Sequence, residues 1–262
     1  LVGSEMCIRD SAYGVAYDIS TDTVWVTDSD LGRMRVINAK TNAIISTISV
    51  GSFPFDAAYV QKTASIWVSN YADGTVSVID DATRAVTKTI TVGANPAGIA
   101  FDSTDKIAYV VNSGDGTVSA VSVTKGTVNG APIAAGFGAT GIVWDPKTDR
   151  VFVSNQLDGS VTGFDGKGAG SKKTISVGLM PDGLAYDPAS DRVLVANSLD
   201  ATVTVIDATK EAVIGDAIAV GAMPASIAYA SGADAAFVTD TSDDLVSILA
   251  EVKAPQAPLI IT

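Results

Sequence analysis

The 262-residue chain contains no histidine, and this absence excludes several kinds of active site. Histidine is the commonest general base and the commonest metal ligand in proteins. A Ser–His–Asp triad, a Cys–His pair and a histidine-ligated zinc site are therefore excluded within the chain. The single cysteine, Cys7, cannot form an internal disulfide.

Basic residues are also scarce, at 17 Lys and Arg against 29 Asp and Glu, and the net charge is −12 with a pI near 4.3. Nucleic-acid binding needs clustered Lys and Arg, so no nucleic-acid partner is expected. No apolar run approaches the roughly 18–20 residues of a membrane-spanning helix, and no membrane insertion is expected. Of the acidic residues 26 are Asp, which favours turns over helices.

Residues 1–11 share no pattern with the rest of the chain. The string LVGSEMCIRDS resembles translated sequencing-adaptor read-through. The alternative, the tail of a signal peptide, lacks an apolar stretch and an Ala-x-Ala site. We expect this segment to be artefactual or disordered and to contribute nothing to the fold.

What the chain does contain is a repeat. One short run recurs six times and ends at Asp28, Asn70, Asn112, Asn155, Asn197 and Asp240. These residues are 42, 42, 43, 42 and 43 positions apart. A period near 40–45 built from short β segments is typical of propeller blades.

Each period contains four runs that alternate with period two and are rich in β-branched and aromatic residues. Asp-Gly and Asp-Pro pairs between the runs indicate tight turns. The sequence therefore predicts an all-β fold, a six-bladed β-propeller of four-stranded antiparallel blades, with an incomplete seven-bladed propeller as the alternative. We predict one domain over 12–262, with blades at about 12–53, 54–95, 96–138, 139–180, 181–223 and 224–262, the last strand being Leu259–Thr262.

Three recurring motifs resemble one known family. The Trp67-Val-Ser-Asn70 run, the Asp73–Asp80 run and the Val92-Gly-Ala-Asn-Pro-Ala-Gly-Ile-Ala100 run are similar to YVTN-family β-propeller repeats. The resemblance covers residues 12–249. It implies a surface-layer or secreted prokaryotic protein, and hence an extracytoplasmic location (secreted, periplasmic or cell surface).

Two sets of loops are expected on one face of such a fold, and binding residues concentrate on loops held by a rigid scaffold. We predict a protein, small-molecule or glycan ligand on this loop face. The alternative is that the apolar side chains there only cover the rim of the core. The candidate binding residues are Phe53, Asp56, Tyr71, Asn95, Met180, Asp182 and Met223.

Two carboxylates among these candidates depart from the repeat. Asp56 takes the position that glycine holds in four other periods, and Asp182 lies one position earlier in its own period. We expect a carboxylate there to be solvated or matched by a cation. The Asn/Asp residues that end the recurring run are instead expected to be structural, as Asx-turns.

Calcium is the one metal that the sequence suggests. Asp28 and Asp30 lie in the first hairpin and Asp240, Asp243 and Asp244 in the last, and Ca²⁺ takes six to eight oxygen ligands. A solvated acidic surface is the alternative.

Three functions follow. The first is a non-enzymatic binding or cell-surface module, without a cofactor. The second is a propeller hydrolase or lyase of the lactonase or streptogramin-lyase kind, which the missing histidine disfavours. The third is a structural calcium-binding surface protein.

Overall fold

The computed structural model describes residues 12–166 and 170–250, and these form antiparallel β-sheets joined by short turns. The chain divides into two compact units, Leu1–Ile133 and Ala134–Thr262. The expectations for residues 1–11 and for the strand Leu259–Thr262 lie outside the described residues. Within these, no helix is long and apolar enough to cross a membrane.

The first unit holds three sheets, which we call blades one (β1–β4), two (β5–β8) and three (β9–β13). Their strands are β1 Val15–Asp18, β2 Thr23–Asp28, β3 Arg33–Asn38, β4 Ile44–Ser49, β5 Pro54–Val60, β6 Ser65–Asn70, β7 Thr75–Asp80, β8 Val86–Thr91, β9 Pro96–Asp102, β10 Ile107–Asn112, β11 Thr117–Ser122, β12 Thr127–Val128 and β13 Ile133–Ala134. A 3-10 turn, Gln61–Thr63, joins β5 to β6.

The second unit holds blades four (β14–β17), five (β18–β22) and six (β23–β25). Their strands are β14 Ala139–Asp145, β15 Arg150–Asn155, β16 Ser160–Asp165, β17 Lys173–Ser176, β18 Pro181–Asp187, β19 Arg192–Asn197, β20 Thr202–Asp207, β21 Ala212–Val213, β22 Ile218–Ala219, β23 Pro224–Ala230, β24 Ala235–Asp240 and β25 Leu245–Ala250. A 3-10 turn, Gln156–Asp158, follows β15.

The fold class predicted from the repeat is confirmed: the chain is all-β, with the six small antiparallel blades of a six-bladed β-propeller. In blades three and five the fourth strand is split, and both halves pair with the third strand. Gly130 and Gly215 interrupt these strands with left-handed backbone, at φ of 68° and 65°. Glycine adopts this conformation without the steric cost of a Cβ atom.

The second strands of the first four blades each bury a large aromatic side chain. Trp25, Trp67, Tyr109 and Phe152 are almost fully buried. In blades one and two the indole N–H finds a partner two residues back, with Trp67 Nε1 donating to Ser65 Oγ at 3.2 Å. Truncating one of these rings removes about 3–5 kcal/mol of stability.

The first strand of each blade is thin because neighbouring backbones approach it closely. A Cβ atom on Gly141 would lie 2.3 Å from the Asp182 carbonyl oxygen, and one on Gly14 would lie 2.6 Å from the Asp56 Cα. The aromatic residues further along these strands are only partly buried, and Tyr17 is 51% exposed. The fully buried rings therefore come from second strands and, at Phe164, from the third strand of blade four.

The turns between first and second strands, and between third and fourth strands, form one end of each unit, which we call the opposite face. Asx-turns lie here: the buried Asp102 accepts the backbone N–H groups of Thr104 and Asp105 at 2.7 and 3.0 Å. Tyr17 Oη donates to Asp22 Oδ1 at 2.8 Å, and Tyr186 and Tyr229 make matching bonds to Asp191 and Asp234.

Candidate functional site

The second-to-third strand hairpins and the connections between consecutive blades form the other end of each unit, the loop face. In the first unit the Tyr71 N–H donates to the Phe53 carbonyl at 2.9 Å, and the Ala72 N–H donates to the Ser52 carbonyl at 3.2 Å. The first of these backbone bonds recurs in the later blades. The N–H groups of Ser113, Gln156, Ser198 and Thr241 donate to the carbonyls of Asn95, Gly138, Met180 and Met223, respectively. Hairpin and connection are therefore held together in a repeated way.

Side chains from the hairpins tie down the same connections. Asn70 Oδ1 accepts the Gly51 N–H at 3.0 Å, and its Nδ2 donates to Thr75 Oγ1 and Ser77 Oγ. Asp73 Oδ2 accepts the Ser52 N–H at 2.7 Å. A Cβ atom on Gly51 would lie 2.6 Å from Asn70 Cγ, so this approach needs glycine.

The Asn network recurs at Asn112 and Asn197, which accept the N–H groups of Gly93 and Gly178. The interpretation of these residues as structural agrees with this geometry, but the expected Asx-turn was wrong. The asparagine bonds the connection 19 residues upstream and not the backbone of its own hairpin.

The connection candidates share a strained backbone. Phe53, Asn95, Met180 and Met223 have φ between 50° and 53°, in the left-handed region, and Gly138 takes the equivalent position in blade four. Left-handed backbone costs about 1–2 kcal/mol for a residue with a Cβ atom. Three blades therefore keep a large apolar side chain where glycine would cost less.

Four aromatic rings meet on the loop face of the first unit. The ring centroids of Tyr13 and Phe55 are 5.2 Å apart and nearly stacked, and those of Phe55 and Tyr71 are 5.6 Å apart. Phe53 lies 5.6 Å from Tyr13 and 5.8 Å from Tyr71, which completes a cycle of contacts. We call these residues the aromatic cluster; Tyr13 is 61% exposed and the other three are half-buried.

Exposed aliphatic side chains also lie on the loop face of the second unit, at positions other than those of the aromatic cluster. Leu157 and Leu199 project from hairpins, and Leu179 and Met223 from connections, all of them exposed. Met180 is partly buried beside Leu179. Each unit thus carries exposed apolar side chains on its loop face.

The carboxylate of Asp56 is held by backbone donors and has no cation partner in the described residues. Asp56 Oδ1 accepts the Ala57 N–H at 2.8 Å, and Oδ2 accepts the Ile99 N–H of blade three at 2.9 Å. Burial raises the pKa of Asp56 to about 6, although both hydrogen bonds act to lower it. Asp56 is partly exposed, so the expected solvation of its carboxylate stays a prediction. Its carboxylate links the first strands of two blades.

Asp182 lies at the start of β18 in the second unit. Burial raises the pKa of Asp182 to about 6, and a hydrogen bond from the Gln156 side chain partly offsets this rise. A carboxyl group with this pKa exchanges protons near neutral pH, which is the property of a general acid or base.

The five acidic calcium candidates have different surroundings. Asp28 is buried, and its Oδ2 accepts from Arg33 Nε at 2.9 Å and from Arg35 Nε at 3.0 Å. In the second unit Asp240 Oδ2 accepts from Ser247 Oγ, and Asp243 Oδ2 accepts the Ala222 N–H. Asp30 and Asp244 are exposed. Calcium binding stays a prediction, and Asp28 is its weakest member because two arginines already neutralise it.

No model of a known protein family matches the chain, and no curated protein matches it. The solved structure of a streptogramin B lyase aligns with 92% of this chain and 83% of its own at 11% identity, with a TM-score of 0.74. A Kuenenia stuttgartiensis hydrazine synthase chain aligns with 92% of this chain and 96% of its own at 15% identity, with a TM-score of 0.58. The shared fold is that of a β-propeller. At such identities the likeness shows the fold alone, and the YVTN resemblance stays a prediction.

Two members of the aromatic cluster, Tyr13 and Phe55, were missed from the sequence, whereas Phe53 and Tyr71 were predicted. The repeat alignment could have revealed them. Tyr13 and Phe55 hold equivalent positions, one residue before the innermost residue of the first strand. The residues at this same position in the later blades are Ala97, Thr140, Asp182 and Ala225. Only the first two blades place a ring there.

Proposed function

We propose that the chain is a non-enzymatic binding module whose ligand contacts the loop face. The observation that supports this best is the aromatic cluster, because clustered aromatic side chains on a surface are typical of recognition sites. The Asn70-type network supplies the rigid support that such a site needs.

The YVTN resemblance supports an extracytoplasmic location for this module, and we propose that it is a secreted or cell-surface protein. Calcium binding by the acidic candidates within either unit, Asp28 and Asp30 in the first and Asp240, Asp243 and Asp244 in the second, is a subsidiary proposal. Calcium binding would show as a rise in melting temperature that a chelator reverses.

A second candidate function is a hydrolase or lyase, and the raised pKa of Asp182 favours it. Asp182 would have to act as the proton-transferring group, with the missing histidine leaving few alternatives. Turnover of lactone or cyclic-depsipeptide substrates that Asp182→Asn abolishes, while melting stays unchanged, would replace the binding proposal with this one.

The test of the binding proposal compares two double variants. Tyr13→Ser with Leu199→Ser removes exposed apolar side chains from the loop faces, both 61% exposed. Tyr17→Ser with Ile19→Ser removes side chains that are 51% and 67% exposed on or beside the opposite face. Arrays of peptides, glycans and small amphiphiles are screened against wild type and both variants.

We expect ligands that bind wild type and the opposite-face variant but not the loop-face variant. Binding that is equally sensitive to both variants, or an absence of binding across all three array classes, contradicts the proposal. Melting curves of both variants control for loss of the fold.

A further inference from the structure

Most of the basic side chains of the first unit lie at one of its two ends, the opposite face, where acidic side chains such as Asp22, Asp80 and Asp105 accompany them. Lysine and arginine side chains lie in the turns of the opposite face, at Lys40, Lys62, Arg84, Lys106 and Lys125. Lys88, on the outer strand β8, directs its amine to the Lys125 carbonyl there at 2.7 Å.

The loop face of the same unit is acidic. Asp30, Asp73 and Asp115 project from its three hairpins and are exposed. Among the described residues, the only cations near this end are Arg33 and Arg35, and both bond Asp28. The aromatic cluster therefore lies at the end of its unit where Asp30, Asp73 and Asp115 are exposed and the two nearby basic side chains are engaged with Asp28.

One of these carboxylates lies in a hairpin that is bonded to the segment carrying two of the rings. Ser29 Oγ donates to the Pro54 carbonyl at 2.6 Å, which holds the hairpin of Asp30 against the segment that carries Phe53 and Phe55. Asp30 is exposed, and Leu31, the next residue of that hairpin, is 60% exposed. A carboxylate and an aliphatic side chain are thus exposed on a hairpin that is bonded to the rings' own segment.

We infer that this patch binds an extended peptide segment of a partner protein that carries arginine and apolar side chains. The inference rests on the proposed binding function and names its ligand. A guanidinium plane stacks on aromatic faces and pairs with carboxylates, and its methylene stem covers apolar surface.

The packing of the rings explains why a peptide is favoured over a compact organic cation. Their centroids are 5.2–5.8 Å apart, so the rings contact one another and leave no space between them for a cation. A cavity of the first unit is lined by Ser49–Gly51, by Asn70 and Asp73 and by the β7–β8 pair, and none of the four rings lines it. Small ligands use concave sites, whereas an exposed patch of rings in mutual contact suits a polypeptide segment.

The test measures binding of a short fluorescent peptide of alternating Arg and Leu by fluorescence anisotropy. Peptides of alternating Glu and Leu, and of alternating Arg and Ser, serve as probes of charge and apolarity. We expect the Arg–Leu peptide to bind at least about tenfold more tightly than either, with affinity falling as salt is raised.

Variants then locate the site. Tyr13→Ser should weaken Arg–Leu binding about tenfold, and Asp30→Asn about threefold with a smaller salt dependence. The matched controls on the opposite face, Tyr17→Ser and Asp105→Asn, should leave the affinity unchanged. Both loop-face positions are exposed, so the variants are expected to fold, and melting curves check this.

Equal binding of the Glu–Leu peptide, equal losses in Tyr17→Ser and Tyr13→Ser, or no binding to wild type would overturn the inference. If the Arg–Leu peptide fails while the arrays yield a different ligand that depends on the loop face, this inference falls and the proposed function stands. If neither binds, both fall.

Discussion

Replacing Asp28 by asparagine removes the negative charge that holds two arginine side chains inside blade one. The Asp28 side chain is 4% exposed, that of Arg35 is 11% exposed, and the shortest contacts are 2.9 Å. Removing one partner of a buried ion pair costs about 3–5 kcal/mol, because the other charge stays buried without compensation. Arg33 is 31% exposed and can be rehydrated, so we expect the low end, about 3 kcal/mol.

A loss of this size lowers the melting temperature by about 6–12 °C in a chain of this length. The measurement is thermal melting by circular dichroism, with urea unfolding to give the free energy of unfolding. A triple variant supplies the control: Asp28→Asn with Arg33→Thr and Arg35→Ser installs the residue types found at Asn70, Thr75 and Ser77.

The triple variant should regain most of the loss, since blade two stabilises the same three positions with neutral hydrogen bonds. A single variant that melts within about a degree of wild type would refute the reasoning. So would a triple variant as unstable as the single one. Wild-type stabilisation by Ca²⁺ that disappears in Asp28→Asn would instead make Asp28 a metal ligand.

Three further outcomes are expected. Gly141→Ala should cost about 1–3 kcal/mol in urea unfolding because its Cβ would meet the Asp182 carbonyl at 2.3 Å, whereas Gly232→Ala, with no atom within 4 Å, should be near neutral. Asn112→Ala should cost about 2–4 kcal/mol, because it leaves the Gly93 N–H and two hydroxyls without their partner. The third outcome concerns pH. Folding raises the pKa of Asp56 from 3.8 to about 6, so the protonated carboxyl group is favoured in the folded state. The stability that Asp56 contributes is therefore lost as the pH rises from about 4 to 6. The free energy of unfolding of Asp56→Asn relative to wild type should therefore increase over that range, by at most about 3 kcal/mol, and parallel pH profiles would contradict this.

The strands could be predicted because each one is specified locally. Period-two runs and Asp-Gly turns lie within a few residues, and the Trp67–Asn70 and Asp73–Asp80 runs of the repeat fall on β6 and β7. The partner of Asn70 could not be found in this way, because it lies 19 residues upstream at Gly51. Contacts that depend on how one blade meets the next are not encoded in a local pattern.

The environment of Asp28 could have been predicted from the repeat. Asn70 donates to residues five and seven positions later, and Arg33 and Arg35 stand at the same offsets from Asp28. Blade one thus has a carboxylate where blade two has the Asn70 amide, and two arginines where blade two has two hydroxyl groups. An ionic network replaces a neutral one at the same three positions. Comparing these three positions together across the repeats, and not one position at a time, would have revealed the ion pairs of Asp28.

The side-chain bonds from Asn70, Asn112 and Asn197 all reach backward along the chain, to Gly51, Gly93 and Gly178. During synthesis the acceptor side chain therefore leaves the ribosome after the N–H group that it captures, and these three bonds need no residue beyond the hairpin that supplies the asparagine. The link from Asp56 runs the other way, to Ile99, and closes only when the next blade has emerged. We expect the nascent chain to mature one repeat at a time from its N-terminal side, each hairpin closing over the connection already in place.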